Sequence, residues 1–341
     1  MKRPGHLLRQ LTAALDGRLP APEAWPAVLE VAGRGWLVPA LHVALQRADR
    51  LDGIPGDVRD YLSLLHDRNR ERNRRLREQL VEATRALNAA AIEPVLLKGA
   101  IHLFTAGEED LGSRMISDLD LSIPPAELAR AKSALNGIGY RCCDGEREMA
   151  RPQDVGVIEF HHRPSARSAP YLSGDLRASS PGMIRDGAAA RIPTAMARAL
   201  HLIVHDMIKE GDYWTFRINL RHLHDLAGLA CSSEGIDWRR LGALLSDPVG
   251  RNALNVQALA LQDLYGIELR PDLHPGRAAR LRHVARLICA GRGRGASMVR
   301  LAGNVSRGLH HLSEGFEWQG GRKFSRKVHH RLTSRGTGSR I

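Results

Sequence analysis

The stretch 115–123, MISDLDLSI, constrains this chain more than any other. Successive side chains of a β-strand point to opposite faces. In this stretch Asp118 and Asp120 therefore share one face, and Leu119, Leu121 and Ile123 share the other. The apolar face belongs in a core, which leaves the acidic face to line a site. Two carboxylates held that close repel, and desolvating them without a partner is costly. A cation is expected between them.

The flanking sequence is mostly helical in pattern. Within 58–91, Leu62, Leu65, Asn69, Asn73, Leu76, Leu80, Thr84 and Leu87 recur every three or four residues, which predicts one long amphipathic helix. Asn69 and Asn73 interrupt its apolar seam, which favours a packing helix that supports another domain over a coiled coil. Residues 93–99, EPVLLKG, begin with a helix-breaking proline and pass through a short apolar run to a glycine. That is the pattern of a buried strand leading into a helix near Ala100. Pro124 and Pro125 end the acidic strand, 126–136 reads as a helix, and 139–142 and 155–163 read as further strands. In the last of these, Glu159 and His161 share a face. Helical patterns return at 195–209, 217–231, 238–246, 249–265 and 276–290.

The expected fold class is α+β, with a small mixed-sheet core flanked by helical regions. Its expected parts are a helical region over 1–91, an α/β core over 92–165, a loop or lid over 166–193, a second helical region over 194–295 and a basic, flexible tail over 296–341.

Composition narrows the function. No run of about 18 apolar residues is present to span a bilayer, and the N-terminus lacks the apolar stretch and small-residue cleavage site of a signal peptide. A cytoplasmic protein with no membrane partner is expected. The cysteines, Cys142, Cys143, Cys231 and Cys289, show neither disulfide nor zinc-knuckle spacing. The formal net charge is +13, but Arg322, Lys323, Arg326, Lys327, Arg331, Arg335 and Arg340 carry seven of those charges within the last 22 residues. Nucleic acid is thus a possible partner of the tail alone. The rest of the chain lacks the aromatic interleaving of a single-strand stacking platform.

Leu97-Lys98-Gly99, then Arg114-Met-Ile-Ser-Asp118-Leu-Asp120-Leu, then Gly139-Tyr140, then Glu159-Phe-His161 resemble the nucleotidyltransferase superfamily that shares its fold with DNA polymerase β. Within it, the chain is similar to the bacterial family usually called uncharacterised nucleotidyltransferases. The later pattern Leu200-His201-Leu-Ile-Val-His205, Leu223-His-Asp225-Leu and Asp237-Trp238 looks like that family's helical half.

The resemblance implies transfer of an NMP from an NTP, with ATP the first candidate, to a hydroxyl or other nucleophile of an unidentified acceptor, releasing pyrophosphate. It implies Mg²⁺ or Mn²⁺ held by Asp118, Asp120 and Glu159, with Glu159 in a second role as general base. It implies a phosphate cradle at Gly99, and Lys98 and Arg114 become candidates for neutralising the triphosphate. A small molecule, a peptide or protein, or RNA are the acceptor classes left open. Gly99-Ala100 stands where the superfamily usually has glycine-serine, which removes a hydroxyl but keeps the backbone donors of a helix start. The rival reading is a catalytically inactive member of the same fold that binds nucleotide, RNA or a protein partner.

The remaining polar residues carry two readings each. Lys98 suits a salt bridge to one of the acids as well as a phosphate contact. His161 suits a substrate contact or a hydrogen bond that fixes a carboxylate. His201 and His205 have a spacing that can present two imidazoles to a metal, but no His-Glu-x-x-His motif, so helix packing or an acceptor pocket is favoured over zinc. Asp225 is expected to pair with a basic neighbour, and Asp237 to cap a helix that buries Trp238.

Overall fold

The computed structural model describes residues 4–143, 147–172, 174–268, 273–291 and 294–313. The described chain opens with helices α1 (His6–Leu15), α2 (Trp25–Arg34), α3 (Val38–Arg47) and α4 (Gly56–Ala89). Strand β1 (Val95–Leu96), helix α5 (Lys98–Thr105), the acidic strand β2 (Asp118–Ser122) and helix α6 (Leu128–Gly137) follow. Then come β3 (Arg141–Cys142), β4 (Glu148–Ala150), β5 (Val157–His161), β6 (Gly182–Arg185) and β7 (Ala188–Arg191). Helix α7 (Ala195–Ile203) runs into a π-helical turn (Val204–Lys209). The last elements are α8 (Asp212–Thr215), α9 (Leu220–Cys231), α10 (Trp238–Leu244), α11 (Pro248–Tyr265), α12 (Arg277–Ala290) and α13 (Arg294–Ser313). The fold is α+β.

The strands form one mixed sheet in the order β3-β4-β5-β2-β1-β7-β6. β2 lies near its middle, parallel to β5 and antiparallel to β1. The register sets Asp120 beside Glu159 and Ser122 beside His161. Leu119, Leu121, Ile158 and Phe160 are fully buried on the opposite face, as the alternation requires.

Two apolar cores exist, and α4 belongs to both. Its first turns place Val58 and Leu62 among the helices, with Leu11, Trp25 and Leu41 from the N-terminal side and Ile203, Leu223 and Leu254 from the C-terminal side. Its later turns place Leu76, Leu80 and Leu87 under the sheet with Phe104, Leu119 and Phe160. The two helical regions that the sequence presents as separate flanks are thus one body. An amphipathic face needs a partner, and periodicity does not say which one.

Between the two cores α4 turns polar, where the apolar seam breaks. Asn69 donates to the carbonyls of Gly112 and Arg114 at 2.7 and 3.1 Å, and Asn73 to those of Leu111 and Arg114 at 2.7 and 2.8 Å. Arg72 donates to the Ile116 carbonyl. Arg77 donates to the carbonyls of Leu103 and Ala106 at 2.8 and 2.7 Å. Further along, the Gln79 amide donates to the Gly156 carbonyl at 2.7 Å and accepts from its N–H at 3.2 Å. One helix therefore holds the segments that enter both β2 and β5.

Two segments differ from expectation. The stretch read as a loop or lid over 166–193 ends in the β6–β7 hairpin. Asp186 and Gly187 form its two-residue turn with φ of 49° and 73°, a conformation that Asp-Gly adopts readily and that matches the twist of the strands. β7 joins the sheet beside β1, and Asn88 of α4 bonds both the carbonyl and the N–H of Ala189, at 2.9 and 2.7 Å. The stretch read as a flexible tail from 296 begins inside α13, which packs on α8 and α12. The seven charges of 320–341 lie outside the described residues.

Asn73 is fully buried, and both carbonyls it serves lose a donor if it is truncated. Asn73→Ala is expected to lower stability by about 2 kcal/mol, read as a lower urea midpoint with an unchanged m-value. A midpoint within error of wild type would show that water replaces the amide there.

Candidate active site

Asp120 has no exposed surface, although it is a carboxylate on a strand. Its Oδ1 accepts from Lys98 Nζ at 2.6 Å and lies 2.6 Å from His161 Nε2. His161 Nε2 is also 3.7 Å from Glu159 Oε2. Burial opposes the charge on Asp120, but the His161 hydrogen bond and the Lys98 ammonium outweigh it and hold the carboxyl well below the usual range. Asp120 Oδ2 is buried with no hydrogen-bond partner. Ligand atoms of Asp120, Glu159 and His161 lie within 4.8 Å of one another.

Local structure explains each position. Leu97 N–H donates to the Asp120 carbonyl at 3.0 Å, which ties the start of α5 to β2. Lys98 has φ of +46°, a left-handed conformation rare for a side chain of this size. Such strain persists where surrounding contacts over-determine it, and here the salt bridge to Asp120 does so. At Gly99 a Cβ would meet Ile116 Cγ2 at 2.7 Å and Arg114 Nη1 at 2.9 Å. Close packing thus accounts for this glycine independently of any phosphate.

Asp118 stands apart from the close set. It is half-buried, accepts from Ser117 Oγ at 2.9 Å, and lies in the field of Arg72, Arg114 and Arg221. Arg114 is bound in a fork by Asp225, with contacts of 2.7 to 3.2 Å. The basic partner expected for Asp225 therefore comes from the loop before β2, 111 residues away, and not from its own helix. Burial opposes ionisation of Asp225, yet the Arg114 charge and hydrogen bonds keep its carboxyl far below the ordinary value.

Lys98 and Arg114 also line a cavity of about 730 Å³ between α3, α5, α7 and α9. Arg198, Arg221, His201 and Trp36 share its wall. Arg221 stacks over the Trp36 ring at 4.8 Å and donates to the Met115 carbonyl at 3.1 Å. Burial pushes Arg198 below the usual guanidinium range, a cost that an anion in the cavity would offset. His201 Nε2 is buried without a partner, and burial followed by the His205 and Lys98 charges lowers this imidazole to about 3, so it is neutral at physiological pH.

A family model described as an uncharacterised nucleotidyltransferase matches residues 21–264. The chain belongs to that family. The match spans both the sheet that carries Asp120 and the helices that build the cavity, so the nucleotidyltransferase unit includes both cores. Family membership supports nucleotidyl transfer as the general chemistry. No curated protein and no solved structure matches the chain. Among the described residues, no helix is long and apolar enough to cross a membrane.

The structure brings Lys98, Asp120, Glu159 and His161 together and sets Arg114 on the cavity wall. His161 takes the carboxylate-fixing option of its two readings. Asp237 caps α10 by accepting from the Arg240 N–H, and Trp238 is buried. Sequence reasoning missed Arg198 and Arg221, whose signal was a charge on helices that also bury an apolar face.

Asp225→Asn removes one charge from a largely desolvated pair and is expected to cost about 3 kcal/mol. The depressed folded-state pKa means that this stability is fully present above the unfolded carboxyl value near 4 and is lost as pH falls through the folded value. Urea unfolding of wild type and variant should therefore differ most at about pH 5–7, with the gap starting to narrow near pH 4 and shrinking further as pH falls. A gap that persists undiminished at pH 3 would mean that the charge of Asp225 is not what stabilises the fold.

Proposed function

We propose that this protein is a divalent-metal-dependent nucleotidyltransferase that moves an NMP from an NTP, ATP first among the candidates, to a hydroxyl or other nucleophile of an acceptor and releases pyrophosphate. The observation that carries this reading is Asp120: a fully buried carboxylate, held ionised, with one oxygen lacking any partner, in a cluster with a second carboxylate from the adjacent strand. The donor set suits Mg²⁺ or Mn²⁺, which take oxygen ligands from a few carboxylates and complete their shells with water and phosphate. Asp118, Asp120 and Glu159 are the proposed ligands, and metal binding would require Asp118 to turn from Ser117 toward Asp120. Ions bound there would neutralise charge that builds on the phosphate oxygens and the leaving pyrophosphate.

The other steps fall to the chain's own groups. Lys98, which lines the larger cavity and bonds Asp120, is the proposed contact for the triphosphate. Arg114 is held on the cavity wall by Asp225, which balances its charge, so Arg198 and Arg221 are left to supply positive charge there. Glu159 keeps part of its side chain exposed, and it is the carboxylate placed to take the proton from an incoming hydroxyl. The 730 Å³ cavity is of the size that small-molecule ligands occupy, and its arginines favour an anionic one.

One observation favours the rival reading, a nucleotide-binding member without transfer activity. Lys98 and His161 both bond the same oxygen of Asp120, so half of that carboxylate is satisfied without a metal. Transfer from each of four α-³²P NTPs, with Mg²⁺ or Mn²⁺, into a cell extract separates the two readings. Wild-type protein is expected to label an acceptor, and Asp120→Asn to lower the rate by at least about 10²-fold. Folded wild-type protein that binds NTP but labels nothing would overturn transfer in favour of binding.

A further inference from the structure

A second convergence of ligand atoms lies outside the carboxylate site. The π-helical turn Val204–Lys209 carries His205 and Asp206, and α9 brings His222 against them. His205 Nδ1 is 3.0 Å and His222 Nδ1 2.8 Å from the same oxygen, Asp206 Oδ1. Asp206 and His222 are almost wholly buried, and His222 Nε2 has no partner. All three residues line a cavity of about 490 Å³ that also holds Glu210 and Asp212. Insertions of π-helix into α-helices are rare and often mark functional positions.

The hydrogen-bond bookkeeping around His222 is informative. Asn219 caps α9, and its Oδ1 accepts from the His222 backbone N–H, which fixes the orientation of its amide. The Asn219 NH₂ group therefore faces His222 Nδ1 at 3.0 Å. The same NH₂ group lies 3.4 Å from Asp206 Oδ1, so Asn219, His205 Nδ1 and His222 Nδ1 all converge on one carboxylate oxygen. A cation there would replace the protons that the two Nδ1 atoms otherwise share with Oδ1, while the Asn219 NH₂ group donates to the carboxylate. The ligand atoms of the three residues lie within 4.8 Å of one another, a spacing from which they can close on one ion.

We propose that His205, Asp206 and His222 form a transition-metal site for Zn²⁺ or an ion of its class, separate from the Asp118–Asp120–Glu159 site. Two imidazoles and a carboxylate suit a borderline ion better than Mg²⁺, which prefers oxygen throughout. Three protein ligands beside an open cavity leave a fourth position for water or a small anion. The ion would tie the π-helical turn to α9. That helix carries Arg221 and Asp225, which line the larger cavity, so the site would brace the wall of the proposed substrate pocket.

The test uses the full chain, stripped with a chelator and titrated with Zn²⁺ and separately with Co²⁺. Wild-type protein is expected to take up one tightly held Zn²⁺ and to show a Co²⁺ visible band of four-coordinate type. Asp120→Asn is expected to retain both signals, and the double variant His205→Ala/His222→Ala to weaken Zn²⁺ binding by at least about 10-fold. Long-range ¹H–¹⁵N spectra of wild type should show the shift of metal-bound Nδ1 at two histidines, which decides the matter even if the double variant fails to fold. Folded wild-type protein that takes up no Zn²⁺ overturns the proposal. So does uptake that is lost in Asp120→Asn and kept in the double variant, which would assign the ion to the carboxylate site.

Discussion

The arrangement depends on one helix whose polar side chains serve other segments' backbone groups. Asn69, Arg72, Asn73 and Arg77 of α4 hold the carbonyls of the chain approaching β2, and Gln79 holds both polar groups of Gly156 just before β5. Buried backbone groups must be paired, and these lie in loops or, for Leu103, in the last turn of α5, where no ladder serves them. By satisfying them from a rigid element, α4 fixes where β2 and β5 enter the sheet. A slip of one residue between those strands would move Glu159 off the face of Asp120. The juxtaposition of two carboxylates is therefore set by amides and guanidiniums well away from them.

The same helix links the two cores, and the cavities arise where those cores meet. Lys98 belongs to both the acidic site and the larger cavity, since its ammonium bonds Asp120 and its side chain lines the cavity wall. Arg221 and Trp36 line the larger and the smaller cavity alike. The buried pair Arg114–Asp225 closes the geometry by joining the loop before β2 to α9. Lys98–Asp120 and Arg114–Asp225 pair charges otherwise costly to bury, and Asp120 Oδ2 is left buried without a partner.

Several features were readable from local pattern because local physics decides them. The period-2 alternation of 118–123 places its apolar residues in the core, and the 3.6-residue period of α4 predicts a helix over nearly the observed span. The Asp237 cap is likewise a local hydrogen bond. The β6–β7 hairpin had a local signal as well, the Asp186-Gly187 pair, which the surrounding Ser, Pro, Gly and Ala residues obscured. Asn69 and Asn73 were legible as interruptions of a seam but not as donors, because their acceptors are some forty residues away in sequence. The partner of Asp225 was hidden for the same reason. His205, Asp206 and His222 meet only through a π-helical turn, and the His201–His205 spacing pointed instead to a pair whose rings stack at 6.1 Å.

The sequence by itself determined the long helix α4, the α+β class, the acidic strand and the family resemblance, since each rests on spacing along the chain. Tertiary structure alone decided that the N-terminal and C-terminal helices share one core. It alone decided that Arg114 is bound to Asp225, that Asp118 stands apart from the Asp120–Glu159–His161 set, and that two cavities flank α9. Those outcomes depend on which amphipathic faces meet and which distant polar groups satisfy one another. Periodicity specifies that a face must be covered and that a charge must be paired, but the partner is chosen only when the whole chain packs.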